Sequence, residues 1–389
     1  MKSNSNLELA EEIMMEFGAI TGLEPVDDHP IRYLWTDAFA VCNFLELFSQ
    51  TGDKKYLNLA LRLVDQVHHF LGKHRDDDNR SGWISGLNGK EAENHPTIGG
   101  LRIGKKLNER KPNEPVDQRL EWEQDGQYYH YLTKWMHALN RVGKVTEDPI
   151  YVKWAVELAQ TAHKSFTYLP AKRERKLMHW KMSIDLNYPL VPSMGQHDPL
   201  DGFVTYNELQ ISSRELNLSD IPNLDNEISE MSDICRGMNL ITNDPLGIGG
   251  LLFDATRVAQ FIIKENIDYN NLFESILNSA YVGLGSFIEN NPLRVPPDYR
   301  LAFRELGLSI GLEGTKRIQK WFENNKNNFK ENNSTQEIIA TLNQSSLGNA
   351  IEEFWIQNKN WQLGSWAEHR EINMVMLATG LIPDNFLLI

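Results

Sequence analysis

The sequence is short of most features that would assign it to a specialised class. It holds 2 cysteines, Cys42 and Cys235, far apart and in no CxxC pattern. That argues against a disulfide framework and a thiolate zinc site. No HExxH or comparable ligand spacing occurs, so metal catalysis has no support and neither a metal nor another cofactor is expected. The most apolar stretch, "GIGGLLFDATRVAQFII", is broken by Asp254 and Arg257, which leaves no credible transmembrane span. The first twenty residues carry acidic side chains where a secretory signal would have its apolar core. Basic charge is also short. Against 53 acidic residues stand 39 Lys and Arg, for a net charge of −14. That balance argues against nucleic acid and anionic membrane surfaces as partners. Alternating strand patterns are nearly missing, and "WKMSIDL" (180–186) is at best one short strand. A cytoplasmic protein with reduced thiols is the expectation.

What is present is helical periodicity. In "DAFAVCNFLELF", Ala38, Val41, Cys42, Leu45 and Phe48 follow the 3.6-residue period, and the other faces are also apolar, so this helix should be buried on most sides. Gly52 then suits a helix C′ position and Asp53 an N-cap. The helix that follows carries one apolar stripe through Tyr56, Leu59, Leu63, Val67 and Phe70. The unit recurs at "GQYYHYLTKWMHALNRV", where Asp148 and Pro149 open the partner helix. It recurs again from Asp244-Pro245. Twelve to fourteen helices are expected, in hairpins of a more buried and a more amphipathic member. Long insertions at 72–125 and 167–203 interrupt the series, and long ordered loops in a compact domain are usually functional.

The stretch "LWTDAFAVCNFLELFSQTGDKKYLNLALRLVDQV", followed by "GWISGL", resembles a hairpin of the six-hairpin (α/α)6 toroid proteins. That superfamily includes many glycoside hydrolases, the N-acylglucosamine 2-epimerase-like enzymes and some polysaccharide lyases. The stretches "HPTIGGLRIGK", "LEWEQDGQYYHYLTKW" and "PSMGQHDPLDG" resemble those of a group of microbial proteins. The resemblance implies an all-α, (α/α)6-type toroid formed by residues 1–389 as one domain. It carries no catalytic residues over, because no motif of a characterised toroid family is present.

Candidate site residues therefore come from the residues themselves. "LEWEQDG" (120–126) places Glu121, Glu123 and Asp125 just ahead of an inner-type helix. Asp125 could simply cap that helix and the others complement its dipole. Carboxylates at a helix-entry loop could equally serve as general acid and base on a sugar, with Trp122 among them as a stacking surface. "PSMGQHDPLDGF" (192–203), with two prolines and two glycines, is expected to be irregular. His197, Asp198 and Asp201 lie in it; Asx and tight turns would account for the acids, but not for His197. This loop is expected to line the deepest pocket. His179, Trp180 and Lys181 extend it into a polar stretch with a stacking surface.

"GGLRIGK" has the GxxxxGK spacing, ending on Lys105, but Lys106 stands where a phosphate loop needs Ser or Thr. Arg102 in that loop could still clamp a carboxylate or phosphate bidentately, or form a surface ion pair with one of the chain's many acids. Trp35 and Asp37 precede the first inner helix, and Trp366 and His369 precede the last; a ring would bring these ends together at the mouth. His68, His69, His130, His137 and His163 lie among core or stripe residues and are read as structural. The mouth is thus assigned to 72–125, 179–203 and 361–372. The leading function is carbohydrate-active, with glycosidase-type acid/base chemistry on a sugar or uronate-like substrate, a small molecule or oligosaccharide. One alternative is a sugar isomerase or epimerase using His197 and His369 with Arg102. Another is a non-catalytic binding or assembly protein.

Overall fold

A computed structural model describes residues 2–171, 174–216, 218, 221–290, 292–325, 328–330 and 333–389. The chain is 66% helical, and its strands are no longer than three residues each among the described residues. It divides into two compact units, one of residues 18–238 and the other of the first seventeen residues with Asn239–Ile389. Each is described by itself.

Helix α1 (Lys2–Ile20) begins in the second of these units and leads the chain into the first. The 18–238 unit then builds three successive helix pairs. They are α2 (Leu34–Thr51) with α3 (Lys54–Leu71), α6 (Tyr129–Thr146) with α7 (Pro149–Phe166), and α8 (Asp198–Glu215) with α9 (Asp225–Cys235). The inner members lie side by side, α2 against α6 and α6 against α8. Helix α2 is buried continuously from Leu34 to Leu47, as its all-round apolar sequence requires. Its end follows the expected grammar. Gly52 adopts the left-handed conformation at φ 70° and donates its N–H to Phe48 O at 2.8 Å, and Asp53 accepts from Lys55 N at 2.9 Å. Asp148 caps α7 in the same way through Ile150 N at 3.0 Å, with Pro149 at the first helical position. Such caps each contribute about 1 kcal/mol.

The two insertions hold the remaining elements of this unit. They are short helices α4 (Gly89–Asn94) and α5 (Gln118–Glu123) and strands β1 (Gln127–Tyr128), β2 (Thr167–Tyr168), β3 (Leu177–Met178), β4 (Lys181–Met182) and β5 (Pro189–Val191). The strand suspected at 180–186 is β4, the centre of an antiparallel β1-β4-β5 sheet. The segment 192–203 departs from expectation: it is irregular only as far as His197, and Asp198 opens α8. Pro199 falls in the first turn, where a missing amide costs nothing. Gly202 lies inside the helix because the Tyr129 hydroxyl and the Met231 methyl would stand 2.2 and 2.3 Å from a Cβ there.

The other unit contains α10 (Pro245–Glu265), α11 (Asn270–Glu289), α12 (Ala302–Asn324), α13 (Asn333–Gln344), α14 (Leu347–Trp355), α15 (Gly364–Ala367), α16 (Arg370–Leu381) and α17 (Asp384–Leu387). Asp244 caps α10 through Gly247 N at 3.0 Å. Helix α10 is long and apolar enough to cross a membrane by composition, and 78% of its apolar window is buried inside the protein. Helix α12 packs on α10, α14 and α16. The α10–α12 crossing is close because it is made of glycine: a Cβ on Gly249 would stand 2.1 Å from the Gly307 carbonyl oxygen.

Two outcomes follow from this architecture. The far-UV circular dichroism spectrum will be dominated by helix; a sheet content of about a fifth of residues, typical of globular proteins, would contradict it. Gly249→Ala forces the α10 and α12 backbones apart and should cost about 1–3 kcal/mol or more, read as a lowered urea midpoint.

Candidate functional site

The 72–125 insertion is folded around one carboxylate. Asp125 is 0% exposed. Its Oδ2 accepts from Arg102 at 3.0 Å and Arg75 at 3.3 Å, and its Oδ1 from the amides of Gly104 at 3.0 Å and Gly126 at 3.1 Å. Arg102 is used up in turn: its other nitrogens donate to the carbonyls of Lys73 and Phe70 at 2.9 and 2.8 Å. Neither residue is placed as a reactive group. Asp125 does not cap the helix that follows; it ties the loops before it together. Arg102 holds one of the chain's own carboxylates, in a largely buried pair and not the surface one weighed against a ligand clamp.

A second buried cluster joins α5 to the sheet. Glu121 accepts from Arg110 Nε at 3.0 Å and from Lys181 Nζ at 3.2 Å. Lys181, fully buried, also donates to the carbonyls of Glu121 and Gln124 at 2.7 and 2.9 Å. Burial lowers the Lys181 pKa against the pull of Glu121. These bonds leave Lys181 no face for a substrate. Two expected site residues, Glu121 and Lys181, are thus a brace.

The groups that remain open lie on an aromatic face at the start of α6. Trp122 is 51% exposed and meets Trp180 edge-on at 5.3 Å. Trp180 stacks on His130 at 6.2 Å and packs against Tyr128 at 5.6 Å. Its indole N–H points at His130 Nδ1, 3.3 Å away. Tyr131 continues the face, 4.8 Å from His130 and 5.2 Å from Tyr128, and shares a 2.6 Å hydroxyl contact with Tyr33. Trp35 packs behind, at 6.5 Å from Tyr131 and 4.5 Å from Phe39, and is nearly buried.

Asp198 stands at the edge of this face, its Oδ1 3.7 Å from His130 Nδ1. It is buried and its Oδ2 has no hydrogen-bond partner. Burial, reinforced by the neighbouring Asp201 charge, pushes its pKa up to about 8. Asp201 is different. Lys134 donates to both of its oxygens at 2.8 Å and the Thr133 hydroxyl to Oδ2. Desolvation and the Lys134 charge hold His130 below its ordinary pKa, so its imidazole is neutral at pH 7. Two acids three residues apart therefore meet different surroundings, one unpaired and desolvated and the other ion-paired, which is the kind of contrast that separates acid from base. Glu123 is exposed and its carboxylate has no hydrogen bond or ion pair among the described residues.

The other expected residues lie elsewhere. Asp37 accepts from Tyr33 N at 3.0 Å and pairs with Arg32 at 3.4 Å, fixing the start of α2; burial raises its pKa to about 6. His179 stacks flat on Tyr168 at 4.2 Å. His197 is half-buried at the N-cap of α8, where its backbone accepts from Asp201 N. Trp366 is 1% exposed, stacked with Trp361 at 5.4 Å and Trp355 at 5.6 Å. It is core of its unit and offers no stacking surface. His369 precedes α16, 5.5 Å from Phe303. Residues 192–203 line neither of two small cavities, one of about 190 Å³ at Arg32, Phe70 and Arg102 and one of about 120 Å³ at His68, His69 and Trp154. No cluster of metal-ligating side chains occurs among the described residues.

His130, Tyr128, Tyr131, Tyr33, Lys134 and Thr133, which surround this face and Asp201, were not among the expected candidates. The signal was the run "YYHYLTK" at the mouth of an inner helix, aromatic on every face of its first turn. No family model matches the chain, and no curated protein is similar to it.

The contrast between saturated and open carboxylates can be measured. Asp125→Asn keeps the shape but strips the charge from two guanidiniums, so unfolding should cost about 3–5 kcal/mol less. Glu123→Gln should shift stability by no more than about 0.5 kcal/mol. Urea midpoints at constant slope check both.

Proposed function

We propose that the aromatic face at the start of α6 is the active site of a carbohydrate-active enzyme that cleaves a glycosidic bond by acid/base catalysis. The observation that carries this reading is Asp198: a buried carboxyl with one free oxygen, protonated at neutral pH, beside a wall of Trp180, His130 and Tyr128. Aromatic rings of this kind suit the C–H face of a pyranose, and a carboxylic acid kept neutral at pH 7 suits protonation of a leaving oxygen.

In this reading Asp198 gives its proton to the glycosidic oxygen as the C–O bond breaks. Water adds its hydroxyl to the sugar carbon, and its remaining proton passes to the Glu123 carboxylate. Asp201, bonded to Lys134 and Thr133, helps to keep Asp198 protonated without meeting the substrate. The isomerase alternative has less support, because Arg102 is committed to Asp125 and to two carbonyls.

Asp198→Asn should fold normally and lose about a hundredfold or more in turnover of an aryl-glycoside panel. The wild-type rate should fall as pH rises through about 8, since the acid's raised pKa leaves it protonated only below that value. An unaffected rate in Asp198→Asn, or no turnover anywhere in a broad panel of glycosides and oligosaccharides, would remove the proposal.

A further inference from the structure

Several cations of the two insertions are consumed internally. Arg75, Arg102 and Arg110 hold Asp125 and Glu121, Arg80 holds Asp78, Glu109 and Asp185, and Lys181 is enclosed. Lys105 differs from these. Its ammonium lies 5.3 Å from the centroid of the Tyr33 ring, half-buried, with no carboxylate or carbonyl bonded to it among the described residues. Desolvation lowers its pKa, and the more distant charges of Glu123 and Asp125 offset this only in part. A partly dried ammonium without a counter-ion is a costly arrangement that a bound anion would relieve.

Its position gives that anion a context. Tyr33 bonds to Tyr131 through their hydroxyls, Tyr131 packs on His130, and His130 on Trp180 beside Asp198. One row of rings therefore runs from the Lys105 ammonium to the Asp198 acid. The charge surroundings favour a monoanion. One ammonium stands near two carboxylates, with no guanidinium free to help, and a doubly charged phosphate would meet more repulsion than attraction there. Lys106 after the lysine supplies none of the hydroxyl or helix N-terminus a phosphate loop uses.

We propose that Lys105 receives the carboxylate of a uronic-acid residue, so that the substrate is an acidic sugar lying along the aromatic row. This rests on the sugar-site reading above. Lys105 is a specificity-determining residue; it takes no part in proton transfer.

The test is an NMR titration of the full chain with glucuronate and galacturonate, paired with glucose and galactose. Wild type should bind the uronates about tenfold more tightly, the scale of one charge-assisted hydrogen bond. K105Q should bind acidic and neutral sugars alike, with its affinity for the neutral ones unchanged, and K105R should keep most of the preference. Equal binding of both kinds by wild type, or a preference that survives in K105Q, overturns the uronate inference while leaving the sugar site standing. If no sugar of either kind binds, both fall. The Lys105 side chain meets only the Tyr33 ring among the contacts described above, so thermal melting of K105Q close to the wild-type temperature is the folding control.

Discussion

The Asp125 carboxylate, sealed from solvent, organises the longest irregular stretch of the protein. Two guanidiniums and two backbone amides converge on its two oxygens. The donors come from the end of the α3 connection, from the glycine-rich loop at 100–104 and from the approach to α6. Coulombic attraction at such a site is strong because water is excluded, and for the same reason no donor can be lost cheaply. The loops that carry Lys105, Trp122 and Glu123 inherit their positions from it. Helix pairs could form without Asp125; an ordered rim around the start of α6 could not.

The hairpin grammar was legible because it is written locally. Gly52-Asp53, Asp148-Pro149 and Asp244-Pro245 each sit within a turn of the helices they punctuate, and their roles follow from backbone chemistry alone. The rim was legible only in part. "LEWEQDG" presents three acids that look equivalent, yet Glu121 and Asp125 are buried against cations while Glu123 is open. What sorts them is Lys181, Arg110, Arg102 and Arg75, which lie 60, 11, 23 and 50 residues away. No spacing rule reaches that far. His130 and His137 make the same point on one helix. They lie two turns apart on a shared stripe, but His137 is locked to the buried Glu208 at 2.8 Å while His130 faces Trp180. Depth along the helix decided between them, and depth is a tertiary property. Tryptophan was equally ambiguous: Trp180 and Trp366 both sit in loop-like sequence, and only one keeps an open face.

The electrostatic economy of the 18–238 unit separates support from chemistry. Around Asp125 the acceptors are gathered by arginine, which suits the planar fork of the guanidinium. Lysine serves under Asp201 and Glu121, where Lys181 also gathers two backbone carbonyls. Against this background an unsatisfied group stands out more than a charged one. Asp198, Glu123 and Lys105 are few among many charged residues in the unit, and they sit along one row of rings.

The position of Asp198 is also a matter of register. Gly202 lies one helical turn further on, on the same side of α8, and the Tyr129 hydroxyl, itself bonded to Tyr206 at 2.7 Å, occupies the space a methyl would take. That hydroxyl works as a detent: the helix seats against it at one height and one rotation. A single added carbon would lift α8 off its stop and carry the acid with it. Through Gly202, the placing of the proposed proton donor is set by a side chain that is missing.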